Sequence, residues 1–169
     1  NHWRYCMLLE QELDEISVYI EFSKKNFNCY SLKLMRLINS AVSEFEIVAK
    51  EICSQILKDE NVESFNISKI SDVIVTKYPD ILDTKARVLD MNYEFHPFRG
   101  WDENPRLEWW DIYNKLKHDR NSYFDKANLK IAIESIAILK IMVMILRNYA
   151  SSMIPATTCT IIQVQESWK

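Results

Sequence analysis

Apolar residues recur along this chain every three or four positions over long runs, the spacing that keeps them on one side of a helix. The first run, Leu8, Leu9, Leu13, Ile16 and Ile20, predicts a helix from Trp3 to about Phe22. The polar stretch SKKNFNCYS then interrupts the pattern. Ser31 is placed to cap a second helix, since its hydroxyl can accept from a backbone N–H left free in the first turn. That helix runs to about Leu57, with Leu34, Ile38, Ala41, Phe45, Val48, Ile52 and Ile56 forming one stripe. Two helices joined by so short a connection are expected to pack antiparallel.

DENVESFNIS is a polar break, and a shorter helix follows over about Lys69 to Thr76. The Tyr78–Pro79 step ends it, because a residue before proline avoids helical geometry. The segment RVLDMNYEFHPFRGWDENPR holds two of the four prolines and the only glycine. It predicts an ordered, irregular, aromatic-rich connection from about Lys85 to Pro105, with a short extended piece, packed down by Phe95, Phe98 and Trp101. Two closing helices are expected at about Leu107–Asn121 and Lys126–Tyr149. The stretch from Ile131 to Leu146 is the most apolar, yet it contains Glu134 and Lys140. It is too short and too charged for a membrane span and reads as a central core helix. Weak alternation after Pro155 predicts a short strand or a frayed end. The expected fold is therefore all-α: an up-and-down bundle of about five helices forming one domain over residues 1–154, with a tail over 155–169.

Composition sharpens this picture. One glycine in 169 residues disfavours a β-sandwich, which needs many turns. A formal net charge of −3 excludes a polybasic nucleic-acid coat, so any attraction to phosphate must come from a local patch. Cys6, Cys29, Cys53 and Cys159 show no C-x-x-C pairing, which disfavours structural zinc. Cys29 and Cys53 sit among apolar residues in the sequence and read as small hydrophobes. A reduced, cytoplasmic protein is expected. In NHWRYCMLLEQELDEI, acidic residues interrupt the apolar run early, unlike a signal peptide. P-loop and G-x-S-x-G signatures are absent from the sequence.

The stretch WWDIYNKLKHDRN, from Trp109 to Asn121, carries the candidate chemistry. At ~100° per residue, Trp109, Ile112, Tyr113 and Leu116 share one side of a helix, while Asp111, Asn114 and His118 fall on the other. Asn114 and His118 are an i, i+4 pair and therefore surface neighbours. Lys115, Lys117, Arg120, Lys126 and Lys130 outnumber Asp119 and Asp125, a mild basic bias. Cations near a helix C-terminus also offset the backbone dipole, which a plain solvated helix end would explain equally. Adjacent tryptophans point ~100° apart. Core packing is thus expected for Trp109, and Trp110 is the better candidate to stack on a base.

From Trp101 to Leu146 the chain resembles the closing half of a HEPN domain (higher eukaryotes and prokaryotes nucleotide-binding), and the whole-chain order of helices fits that all-α bundle. The family signature is an arginine, a polar residue that is often asparagine, three variable residues, then a histidine. In this register Asn114 and His118 match, and Tyr113 stands where the family has arginine. The resemblance implies an RNA-binding module or metal-independent endoribonuclease, without cofactor. It implies a homodimer whose motif helices face each other, a toxin or phage-defence setting with a cognate antitoxin or defence partner, and no membrane. His118 and Asn114 would be the catalytic pair; Tyr113, Lys117, Arg120 and Trp110 would hold phosphate or RNA. Imidazole titrates near neutrality and suits proton transfer, whereas guanidinium matches phosphate oxygens. A phenol stays neutral at pH 7, so Tyr113 cannot supply that charge, which argues for weak or absent activity. The alternative is a degenerate HEPN domain serving as a protein-interaction or nucleotide-binding module.

Two further histidines lie outside this stretch. His96, before a proline in an aromatic loop, could reach a ligand together with Arg99, although packed loop residues are commoner. His2 sits at the start of the sequence and attracts no role. Three scattered histidines make no metal triad.

Overall fold

The computed structural model describes residues 1–58, 61–149 and 161–165. Its elements in chain order are α1 (His2–Ile16), α2 (Leu32–Leu57), α3 (Ile67–Lys77), β1 (Lys85–Val88), β2 (Tyr93–Phe95), α4 (Glu108–His118), α5 (Arg120–Tyr123), α6 (Leu129–Tyr149) and β3 (Ile162–Gln165).

The long amphipathic runs form the helices expected of them. Ser31 Oγ accepts from Leu34 N at 3.1 Å and starts α2. Its stripe of Leu34, Ile38, Ala41, Phe45, Val48 and Ile52 is fully buried. α1 and α2 are antiparallel, since His2 meets Glu44 and Glu51 while Glu15 at the other end of α1 meets Lys33. α1 stops at Ile16, short of Phe22. Ser17 N turns back to Asp14 O at 2.9 Å, and the exposed Val18 and Tyr19 find no core that would hold a further helical turn. α3 ends at Tyr78 before Pro79, as the sequence requires, and Asn66 Oδ1 caps its start from Lys69 N at 3.0 Å. Between them, α2 and α6 form the centre of the bundle, with α6 buried on nearly every side.

The all-α expectation is corrected by a three-stranded antiparallel sheet of order β2-β1-β3. β1 pairs with β2 as Ala86↔Phe95, Arg87↔Glu94 and Val88↔Tyr93, and with β3 as Val88↔Ile162 through Lys85↔Gln165. What reads in sequence as an irregular connection is thus a hairpin, turned at Asn92 with φ 48°. Its strands are three and four residues long, too short for period-two alternation to register. Of the short strand or frayed end expected after Pro155, the described part is a strand, β3, while 155–160 and 166–169, including Cys159, lie outside the described residues.

Beyond the hairpin, a loop is pinned by aromatic rings. Phe98 and Trp101 are fully buried, 4.8 Å apart, and Phe45 of α2 lies 5.0 Å from Trp109 of α4. Both indoles are satisfied: Trp101 Nε1 donates to Pro105 O and Trp109 Nε1 to Pro97 O, each at 3.2 Å. Gly100 adopts φ 77°, which side chains disfavour, so that Asn104 N reaches its carbonyl at 2.9 Å.

One buried ion pair joins the ends of the fold. Lys140 Nζ of α6 donates to Glu10 Oε2 at 2.9 Å, to Glu10 Oε1 at 3.2 Å and to Ile162 O at 2.6 Å. Ile162 N in turn donates to Glu10 Oε1 at 2.8 Å. Leu89 N bonds Ile161 O, so the polar groups of Ile162 point away from β1 and towards this pair. Removing one member leaves the other charged in a dry environment. Glu10→Leu or Lys140→Met alone is expected to cost about 3–5 kcal/mol in denaturant unfolding followed by circular dichroism. The double variant should recover part of that loss; an additive double loss would show that the charges act independently.

Candidate functional site

α4 delivers the candidate residues, and its amphipathic pattern decides which of them reach solvent. Trp109, Ile112 and Leu116 are buried as expected. Tyr113 is 7% and Trp110 9% exposed, with ring centroids 5.7 Å apart, so both belong to the packed side of the helix. Trp110, selected from sequence as the base-stacking candidate, offers almost no surface. Asn114 is half-buried, and its Nδ2 donates back to Trp110 O, one turn earlier, at 2.9 Å.

The end of α4 is different. Lys117 and His118 are exposed in its last turn. The helix was expected to reach Asn121, but it breaks at Asp119, whose Oδ1 accepts from Ser122 N at 3.3 Å and caps the short α5. An aspartate that bonds local backbone in this way competes with helix continuation. Arg120 therefore opens a new turn, exposed, with its guanidinium 6.0 Å from the Phe124 ring centre. Lys117 Nζ lies 5.8 Å from the Tyr113 ring centre. Lys117, His118 and Arg120 are thus exposed on either side of the break at Asp119, while Tyr113, Trp110 and the Asn114 amide face the helix and core.

The surrounding lysines are neutralised. Lys115 Nζ is 2.7 Å from Asp111, Lys126 Nζ 3.0 Å from Asp125, and Lys130 Nζ 2.6 Å from Glu108. Among the described residues, neither Lys117 nor Arg120 has an acidic partner within ion-pair distance, and His118 has none either. Unneutralised charge is what a phosphate group would find here.

A second electrostatic cluster lies where α4 and α6 begin. Burial raises the Glu134 carboxyl to about 7, against the opposing pull of Lys130, whose Nζ is 3.6 Å away. Tyr93 of β2 is likewise raised, first by burial and then by the nearby Glu134 charge. The sequence marked Glu134 only as an interruption of a core helix.

The other candidates fall in ordinary surroundings. His96 is a half-buried loop residue whose imidazole is held below its usual range by burial and by Arg99. His2, set aside from sequence, is tied by Nδ1 to Glu44 at 2.6 Å and by Nε2 to Glu51 at 3.1 Å. Near it, a cleft of about 410 Å³ is lined by Trp3, Arg4, Val143 and Arg147, at the far end of α6 from the α4–α5 joint. Burial raises the thiols of Cys6 and Cys53 to about 12 and about 11, while Cys29, expected among apolar neighbours, is exposed. Among the described residues no group of three His, Cys, Asp or Glu could hold a metal ion, and no helix is long and apolar enough to cross a membrane.

No protein-family model, curated protein or solved structure compared with this chain matches it.

Glu134 yields a pH dependence of defined sign. Its carboxyl ordinarily titrates near 4.5 and is raised to about 7 in the fold, so between those values the folded chain holds more of this proton than the unfolded chain. This group's contribution to stability is therefore full below about 4.5 and is lost as the pH rises to about 7. Glu134→Gln should flatten the melting-temperature profile across that window; an unchanged slope would mean that another group sets it.

Proposed function

We propose that this is a HEPN-like RNA-binding protein that works as a homodimer and contacts RNA phosphates with the exposed end of α4. The observation that carries this reading is the exposure of Lys117, His118 and Arg120 around the α4–α5 break, none of them with an acidic partner among the described residues. Lysine serves phosphate as a point charge and arginine as a paired donor, so the two sample different geometries on a flexible backbone. In a cleaving dimer the His118 imidazole would move the proton of the attacking 2′-hydroxyl, acting as general acid or base.

Binding is favoured over cleavage by the burial of Tyr113. Tyr113, which in the HEPN register stands in place of the arginine, is buried, so in that reading no side chain there carries the charge that would steady a phosphate in flight. Missing stabilisation of this kind typically costs a few kcal/mol, about a hundredfold in rate. Lys117 and Arg120 supply positive charge from neighbouring positions, which suffices for holding a backbone.

Neutralising both cations should test the contact directly. Lys117→Ala with Arg120→Ala is expected to weaken binding of short RNA in a fluorescence anisotropy titration and to lower the salt slope by about one to two. An unchanged slope would remove this joint from the RNA interface. For cleavage, RNA incubated with chelator should be cut far more slowly by His118→Ala than by the parent if the imidazole moves the proton; equal cutting discards that role. Tyr113→Arg places a guanidinium in a packed position and is expected to lower the melting temperature without creating ribonuclease activity. Acquired cleavage would instead reveal an eroded but intact site.

A further inference from the structure

We propose that Tyr30 is a stacking platform for an unpaired base beside the α4–α5 joint. The inference rests on the RNA reading above and names a residue outside the α4 motif.

Tyr30 is 52% exposed, so its ring offers surface to solvent. Its backbone is nonetheless fixed. Tyr30 forms an antiparallel bridge with Asn128, Leu129 N donates to Cys29 O at 2.9 Å, and the next residue, Ser31, caps α2. The ring is thus held out on rigid elements rather than on a loose loop. It meets Phe124 edge to face, with centroids 5.4 Å apart and planes at 83°. Phe124 in turn lies beneath the Arg120 guanidinium. A continuous line therefore runs from Tyr30 through Phe124 to Arg120, the first residue of α5.

Aromatic surface and unneutralised positive charge side by side match the two parts of a single-stranded nucleotide. A base stacks on the ring while its phosphate reaches the cations, and every base has a π-face to offer. A duplex keeps its bases stacked on one another and presents only phosphates and groove edges. The cations then serve both kinds of RNA, and the ring serves only the unpaired one.

Three labelled RNAs separate the terms in anisotropy titrations: a short unstructured single strand, the same strand carrying abasic sugars, and a blunt duplex. Tyr30→Ala should weaken single-strand binding roughly fivefold or more, the range for losing one stacked base, and leave duplex binding unchanged. Tyr30→Phe keeps the ring and should bind like the parent. The parent should bind the abasic strand about as weakly as Tyr30→Ala binds the intact one. Melting curves of each variant verify that the fold is retained. If Tyr30→Ala binds the intact strand like the parent while Lys117→Ala with Arg120→Ala weakens every RNA, the platform is wrong and the phosphate contact stands. An equal loss on duplex and single strand also overturns the platform. If the parent binds none of the three RNAs, both readings fall together.

Discussion

The buried pair of Glu10 and Lys140 is the constraint on which the arrangement of this fold depends. Two charges removed from water are tolerated only when each is met by good partners, and here the carboxylate and ammonium meet each other and both polar groups of Ile162. The contacts bridge separations of 130 and 152 residues along the chain, so the first helix, the last helix and the third strand are tied at one point. The entropic cost of closing so long a loop rises only slowly with its length. The same contacts fix register. A slip of β3 by one residue would turn Val164 to the opposite face and remove the groups that the ion pair was placed to meet.

From that anchored sheet the geometry passes to the candidate site. β3 holds β1, β1 holds β2, and the chain leaving β2 enters the loop nailed down by Phe98 and Trp101. Trp109 bonds back to that loop at Pro97 and packs on Phe45, which sets the rotation of α4 about its axis. That rotation decides the chemistry available. It turns Trp110 and Tyr113 inwards and leaves Lys117 and His118 in water, so the aromatic core, not the motif spacing, selects which side chains a ligand could meet.

Helices with long apolar stripes were legible in the sequence because burial and period reinforce one another there. α2 with its Ser31 cap, the end of α3 at Pro79 and the core role of α6 are of this kind. The sheet was not legible, since two very short strands pair with a third far along the chain and no local pattern announces such a partner. The break after His118 came from one side chain, Asp119, whose cap on the next turn outweighed a helical pattern that read straight through. Within the site, the exposure of Lys117, His118 and Arg120 followed from their polarity. The inward turn of Trp110 did not, because a spacing argument assigns directions and cannot see that the Tyr113 ring covers the second indole. Tyr30 was hidden in a stretch that reads as a polar connection; its one sequence signal was an aromatic immediately before a helix cap.

The clasp around Ile162 also bears on how molecules of this chain meet one another. Among the described residues β3 is the outermost strand on its side of the sheet, the place where a neighbour's backbone would ordinarily add and begin a polymer. At Ile162 the outward N–H and carbonyl are already consumed by a carboxylate and an ammonium drawn from two helices. At Ile162 side chains thus occupy the seat of a fourth strand and guard the chain there against edge-to-edge aggregation.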